Sequence, residues 1–191
     1  MQICASLETE DFVVQPIADV SPPKWHLGHT TWFFKTFIMK EYVSGYEEFN
    51  PSFNFVFNSY YETVGKRVVR TDRGNLSRPS VSEVYRYRDY VGEHMLKLLE
   101  TVELQPGLRK LIELGIQHEQ QHQELLATDI KYILGHNPLF PRYIDVLNKV
   151  SSIQTERFIE FPEGLYEIGY TGEGFCFEKL LTSCFIVLAT T

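Results

Sequence analysis

LRKLIELGIQHEQQHQELLATDIKYIL, running from Leu108 to Leu134, decides the reading of the chain. Leu108, Leu111, Leu114, Leu125 and Ile133 recur at helical spacing, and His118, His122 and Thr128 fall in the same register. The stretch therefore predicts a long amphipathic helix. Pro106-Gly107 marks the turn before it, and Gly135-His136-Asn137-Pro138 stops it. Positions i and i+4 of a helix lie one turn apart on one face. The imidazoles of His118 and His122 can therefore close on a single metal ion at about 2 Å. A second source of imidazole lies upstream in Trp25-His26-Leu27-Gly28-His29-Thr30. Two histidines from one helix and one from another make a three-imidazole site with coordination positions left open, the form of a reactive metal centre.

Working outward, Ser80-Val81-Ser82-Glu83 carries the capping-box pattern and opens another helix. Its apolar face runs through Val84, Tyr87, Val91, Met95 and Leu98. Ser21-Pro22-Pro23 reads as an N-cap followed by proline in the first turn. It starts a helix from about Pro22 to Val43, which Ser44-Gly45 ends. Residues 1–20 hold no long period. Residues 45–78 form a long, aromatic-rich connection, a length that goes with function or with a short helix inside it. Further on the period changes. Phe158-Ile159-Glu160-Phe161 and Leu165-Tyr166-Glu167-Ile168-Gly169-Tyr170 alternate around Pro162-Glu163-Gly164, which predicts a hairpin. The expected architecture is all-α: a helical bundle over residues 1–145, a linker over 146–157, and a short β-rich remnant over 158–191.

A length of 191 residues with 43% hydrophobic and 23% charged residues gives room for a real core in a soluble globular protein. Fourteen Phe, 11 Tyr and 2 Trp favour pockets walled by large rings. The formal charge of −7 argues against nucleic acid as a partner, because such binders present a basic face. Cys4, Cys176 and Cys184 have neither paired nor metal-like spacing, so a reducing compartment is expected. No signal peptide and no run of about 18 apolar residues occurs, so no membrane role is expected and the expected location is cytoplasmic.

HEQQH also satisfies the H-E-x-x-H pattern of zinc hydrolases, in which Glu is the general base. That reading needs a third ligand downstream, where only Glu124 and Asp129 are on offer. The plainer alternative is a pair of core-edge histidines bonded to backbone or carboxylates. His26 and His29 lie three apart and cannot face one point equally well. His29 falls in line with Trp25, Trp32 and Phe33, on the face expected to meet the interior, and His26 reads as a boundary residue. His94, near the end of its helix, and His136, just past a helix C-terminus where a cation suits the dipole, read as structural.

Three separated motifs, SPPKWHLGHTTWFF (21–34), RTDRGNLSRP (70–79) and HEQQH (118–122), resemble those of the ergothioneine-biosynthesis sulfoxide synthases. The likeness covers about residues 5–177. It implies a DinB/YfiT-like four-helix bundle and an iron(II) ion held by His29, His118 and His122. His29 is taken over His26 because relatives keep the second His of the W-x-L-x-H pattern. Zinc or nickel would suit the same donors in purified protein. The resemblance further implies O₂ as co-substrate and oxidative C–S bond formation between hercynine and a thiol, either cysteine or γ-glutamylcysteine. Arg70 and Arg73 match a pair that grips the thiol substrate's carboxylate with the fork that arginine supplies. Their plainer reading is that they cap the loop or pair with Asp72.

In that family a domain resembling formylglycine-generating enzymes follows the bundle and supplies much of the hercynine pocket and a catalytic tyrosine. Residues 161–177 resemble its opening strands, and from Glu178 the likeness ends. Against that family pattern, the chain is also expected to lack most of the helix that normally precedes Leu7. The expectation is a fragment or a disrupted gene product that carries the metal and thiol sites. Such a chain would make little sulfoxide by itself and would associate with copies of itself through the truncated β segment. Two other classes stay open: a DinB-type metal-dependent thiol S-transferase, and a non-catalytic metal-binding bundle.

Overall fold

The computed structural model describes residues 2–59, 65–101, 103–144, 157, 159–170, 172, 174–177 and the backbone of 184–188. The chain divides into two units, Met1–Asp145 and Val146–Thr191. The first is mostly helical. After short 3₁₀ turns at Gln2–Cys4 and Thr9–Val13 come α1 (Pro23–Phe34), α2 (Lys40–Tyr42), α3 (Phe53–Val56), a 3₁₀ segment at Arg70–Asn75, α4 (Val81–Thr101) and α5 (Pro106–Gly135).

Every residue of α1 from Pro23 to Phe33 is buried, which makes it the central helix rather than a surface one. It packs on both α4 and α5, and Trp32, Phe33, Tyr87, Val91, Leu126 and Ile130 share the core. Polar groups tie the three together as well. Arg88 of α4 donates to Leu27 O (3.0 Å), Thr30 Oγ1 (2.8 Å) and Thr31 Oγ1 (3.0 Å) of α1, and pairs with Glu119 Oε1 of α5 (3.0 Å). At the start of α4, Glu83 N–H donates to Ser80 Oγ at 3.2 Å, as the capping pattern predicts. Ser21 behaves otherwise and does not cap α1. Its backbone N–H goes to Asp129 Oδ2 (2.9 Å) and its Oγ accepts from Arg73 Nη1 (2.8 Å), so it ties the helix start to α5 and to the 70–75 segment.

Between α1 and α2 the helix widens into a π turn, Lys35–Met39, and Gly45 closes the run with φ 71°, a left-handed position that glycine takes without steric cost. Lys35, buried in that turn, bonds Asn54 Oδ1 and Glu48 Oε2 (3.3 Å), while Asn54 Nδ2 donates to Glu48 Oε2 (2.6 Å). A buried ammonium is stable only when so partnered. The network anchors α3 and sets Phe57, just past its end, against α1. There the packing leaves no space: a Cβ on Gly28 would lie 2.1 Å from the Phe57 ring. Gly28→Ala is expected to cost about 1–3 kcal/mol through overpacking. Urea denaturation reads this as a lower midpoint at unchanged slope, and a wild-type midpoint would contradict the close approach.

In the second unit, β1 (Gly164–Ile168) pairs antiparallel with β2 (Cys184–Leu188), in a register from Gly164↔Leu188 to Ile168↔Cys184. The expected hairpin between 158–161 and 165–170 is not formed. Residues 159–161 are not a strand, Phe158 lies outside the described residues, and β1 takes its partner from 184–188 instead. Cys184-Phe185-Ile186-Val187-Leu188 is an unbroken run of strand-forming residues, whereas 158–161 runs straight into Pro162, which has no N–H for a ladder. Among the described residues no helix is long and apolar enough to cross a membrane.

Candidate metal centre

The packing of α1 on α5 brings His29 against His118 and His122. One ligand nitrogen from each lies within 4.8 Å of the others. Ring centroids are 5.0 Å apart for His29 and His118, 4.8 Å for His29 and His122, and 4.6 Å for His118 and His122. His29 is stacked between Trp25 (4.5 Å, 14°) and Trp32 (5.8 Å, 15°), and the Arg73 guanidinium caps the column 3.3 Å from the Trp25 ring centre. His118 rests against Phe33, at 4.8 Å between centroids.

Hydrogen bonds assign the proton on His29. Its Nδ1 lies 2.7 Å from Phe57 O, and a carbonyl only accepts, so Nδ1 carries the hydrogen and Nε2 keeps a lone pair. His122 Nδ1 lies 2.9 Å from His26 Nδ1, and His26 Nε2 lies 2.9 Å from Asp129 Oδ2. His26 is 4% exposed, so it is an interior residue and not a boundary one. His118 Nδ1 is buried and meets no hydrogen-bond partner among the described residues.

Burial dominates the electrostatics. It holds His29 at about 3 and His118 at about 4, against an ordinary 6.5, with the neighbouring His118 adding to the shift of His29. His122 is lowered further, by burial and then by His29, His26 and His118 around it. His26 is lowered by burial too, against the pull of its bond to Asp129. All four rings are therefore neutral near pH 7, as ligand histidines must be. The donor set fits a divalent first-row metal. The orphaned His118 nitrogen points the same way, since a buried polar atom without a partner is commonly met by an ion or a water. Nitrogens sharing one ion at about 2.1 Å sit roughly 3.0–3.4 Å apart, so metal entry asks for a small inward turn of the rings.

A cavity of about 360 Å³ opens over the three histidines, and Asp19, Ser21, Ser59, Gln121, Leu125 and Asp129 also line it. Arg70 and Arg73 reach it from the 3₁₀ segment. Gln15 staples that segment, taking Gly74 N–H on Oε1 (2.6 Å) and donating from Nε2 to Arg70 O (2.8 Å). Lys24 holds its far end through Leu76 O and Pro79 O (2.8 Å). Arg73 is buried and donates to Ser21 Oγ (2.8 Å) and Ser59 Oγ (3.3 Å), whereas Arg70 is exposed and bonds Asp19 O.

Glu119 is spent on Arg88 and does not line the cavity, so it is not placed to serve as a base over the three histidines. Asp129 does line it, but Oδ2 is bonded to His26 and Ser21. Its place was open to sequence reasoning: Asp129 lies seven residues beyond His122, two turns along the same helix face. His94 and His136 turn instead to the backbone carbonyls of Tyr90 (2.7 Å) and Tyr132 (2.9 Å), away from the cavity.

The family model described as the DinB superfamily matches residues 1–126, the stretch that carries α1, α4 and both histidines of α5. None of the curated proteins matches the chain.

Proposed function

We propose that this chain, which belongs to the DinB superfamily, is the metal- and thiol-binding half of a non-haem iron(II)-dependent sulfoxide synthase of the ergothioneine-biosynthesis kind. One observation carries the reading: three neutral imidazoles, two buried and one half-buried, open onto a cavity that also presents two arginines. Iron(II) held by His29, His118 and His122 would supply positions where a thiol substrate and O₂ can meet. Arg73, held by Trp25, Ser21 and Ser59, and Arg70, at the exposed edge, would receive the carboxylates of cysteine or γ-glutamylcysteine. In a chain of net charge −7 these local cations are what draws an anionic substrate in. The indoles of Trp25 and Trp32 keep water from the His29 face. In this reading α1, α4 and α5 belong to a four-helix bundle, and residues 158–191 begin a formylglycine-generating-enzyme-like domain that would meet hercynine.

The test is anaerobic loading with iron(II) followed by γ-glutamylcysteine or cysteine. A new thiolate-to-iron absorption band that saturates with thiol is expected. Arg70→Ala should weaken the apparent thiol affinity about tenfold or more, because a charge-assisted hydrogen bond is worth about 1.5–3 kcal/mol, and should leave iron stoichiometry unchanged. An iron-loaded protein that shows no band rejects the reading and leaves a metal-binding bundle. Thiol transfer to an electrophile without oxygen would place the chain with metal-dependent thiol S-transferases instead.

A further inference from the structure

We infer that Asp129 and His26 form a hydrogen-bonded relay that fixes His122 in the tautomer needed for metal ligation, which makes His26 a positioning residue of the three-histidine centre. The inference rests on the metal reading above and goes beyond its three ligands.

The direction of the relay follows from which atoms can donate. An ionised carboxylate only accepts, so the 2.9 Å contact with Asp129 Oδ2 puts the hydrogen of His26 on Nε2. A neutral imidazole has one N–H, which leaves His26 Nδ1 as an acceptor. The 2.9 Å contact between the two Nδ1 atoms then requires the hydrogen to sit on His122 Nδ1, and His122 Nε2 is left with the lone pair. The reverse order would set the Nε2 lone pair of His26 against a carboxylate oxygen, two acceptors at hydrogen-bond distance, in a residue 4% exposed. The far end is fixed too, because Ser21 N–H also donates to Asp129 Oδ2 at 2.9 Å.

The same two helices that supply the ligands supply the relay: Asp129 lies two turns past His122 on α5, and His26 lies a turn before His29 on α1. His29 receives equivalent treatment from a different acceptor, with Nδ1–H held by Phe57 O. Two of the three rings are thus locked with the hydrogen on Nδ1 and the lone pair on Nε2. Outer hydrogen bonds of this kind orient a ligand ring and raise its basicity.

Long-range ¹H–¹⁵N spectra of the metal-free, histidine-labelled chain read the tautomer directly, and zinc competition titration reads affinity. His122 is expected to carry its hydrogen on Nδ1. In His26→Leu the acceptor is gone, so His122 should move towards the Nε2–H form, and zinc affinity should fall about 10–100-fold. His26→Asn places a carbonyl oxygen near the former Nδ1, and should keep the Nδ1–H tautomer with affinity within about threefold of wild type. Wild-type His122 protonated on Nε2 would overturn the relay whatever the variants do. Equal losses in the Leu and Asn variants would also overturn it, by making His26 a packing residue. So would a Leu variant that keeps both tautomer and affinity. A wild-type chain that takes no zinc would reject the metal reading alone, and the His122 tautomer would still decide the relay.

Discussion

Replacing His118 or His122 with alanine is expected to abolish stoichiometric metal binding. Each substitution takes one of three donors and leaves two, too few to hold an ion against water. Loss of an outer hydrogen bond alone costs about 10–100-fold in affinity, so loss of a ligand should exceed about 100-fold. The check is metal content after anaerobic iron(II) loading, or zinc loading, and desalting. About one ion per chain is expected for wild type and close to none for the variants. His94→Ala is the control, since His94 is turned to the Tyr90 carbonyl away from the cavity. The apo folds should survive, because His118 brings a buried unpartnered nitrogen whose removal relieves a cost rather than adding one. Two variants that retain a full ion would end the three-histidine assignment.

How much of this could be read from residues alone depended on how each helix is buried. α5 is buried on one face, so its period exposes that face, and His118, Leu126, Ile130 and Ile133 fall near it. His118 and His122 are legible there from spacing alone, whereas spacing does not separate Asp129, on the same face, from Glu124 as a partner of the site. α1 is buried all round, and a helix without a polar face carries no signal about where each side chain points. Register with Trp25, Trp32 and Phe33 puts His29 on the interior face, and the motif resemblance names it as the ligand, but neither shows that His26 is buried as well.

The π turn at Lys35–Met39 is equally hidden: Lys35 within it is buried against Glu48 and Asn54, which come from across a loop. Strand pairing failed for a related reason. Alternation marks a strand but names no partner, and the nearest candidate in sequence lost to a more strongly strand-forming run further on. The residues that hold Arg73 in place come from two segments distant from it in sequence, Ser21 and Trp25 at the start of α1 and Ser59 past α3, so nothing local announces them.

Below pH 6.5 the metal-free chain is expected to lose stability steadily, well before its carboxylates titrate. In the unfolded chain a histidine takes up its proton near 6.5. In the fold, burial holds His118 at about 4 and His29 at about 3, and lowers His122 and His26 as well. Below 6.5 the unfolded state therefore binds protons that the folded state refuses, and stability rises with pH through that range. The contribution of these groups is whole above about pH 6.5 and is lost as the pH falls towards about 4 for His118 and about 3 for His29. Denaturation midpoints in chelator at pH 7, 6 and 5 isolate the effect, since Asp and Glu take up protons mainly below about 4.5. Metal affinity should respond differently. The folded site stays unprotonated down to about pH 5, so zinc binding should change little from pH 7 to 5, whereas ligands of ordinary imidazole pKa lose about tenfold per unit for each proton taken up. His118→Leu, which removes one of the shifted groups, should flatten the stability slope in the same window. A midpoint constant from pH 7 to 5 would mean that these rings titrate alike in both states, and the buried histidine cluster would have to be given up.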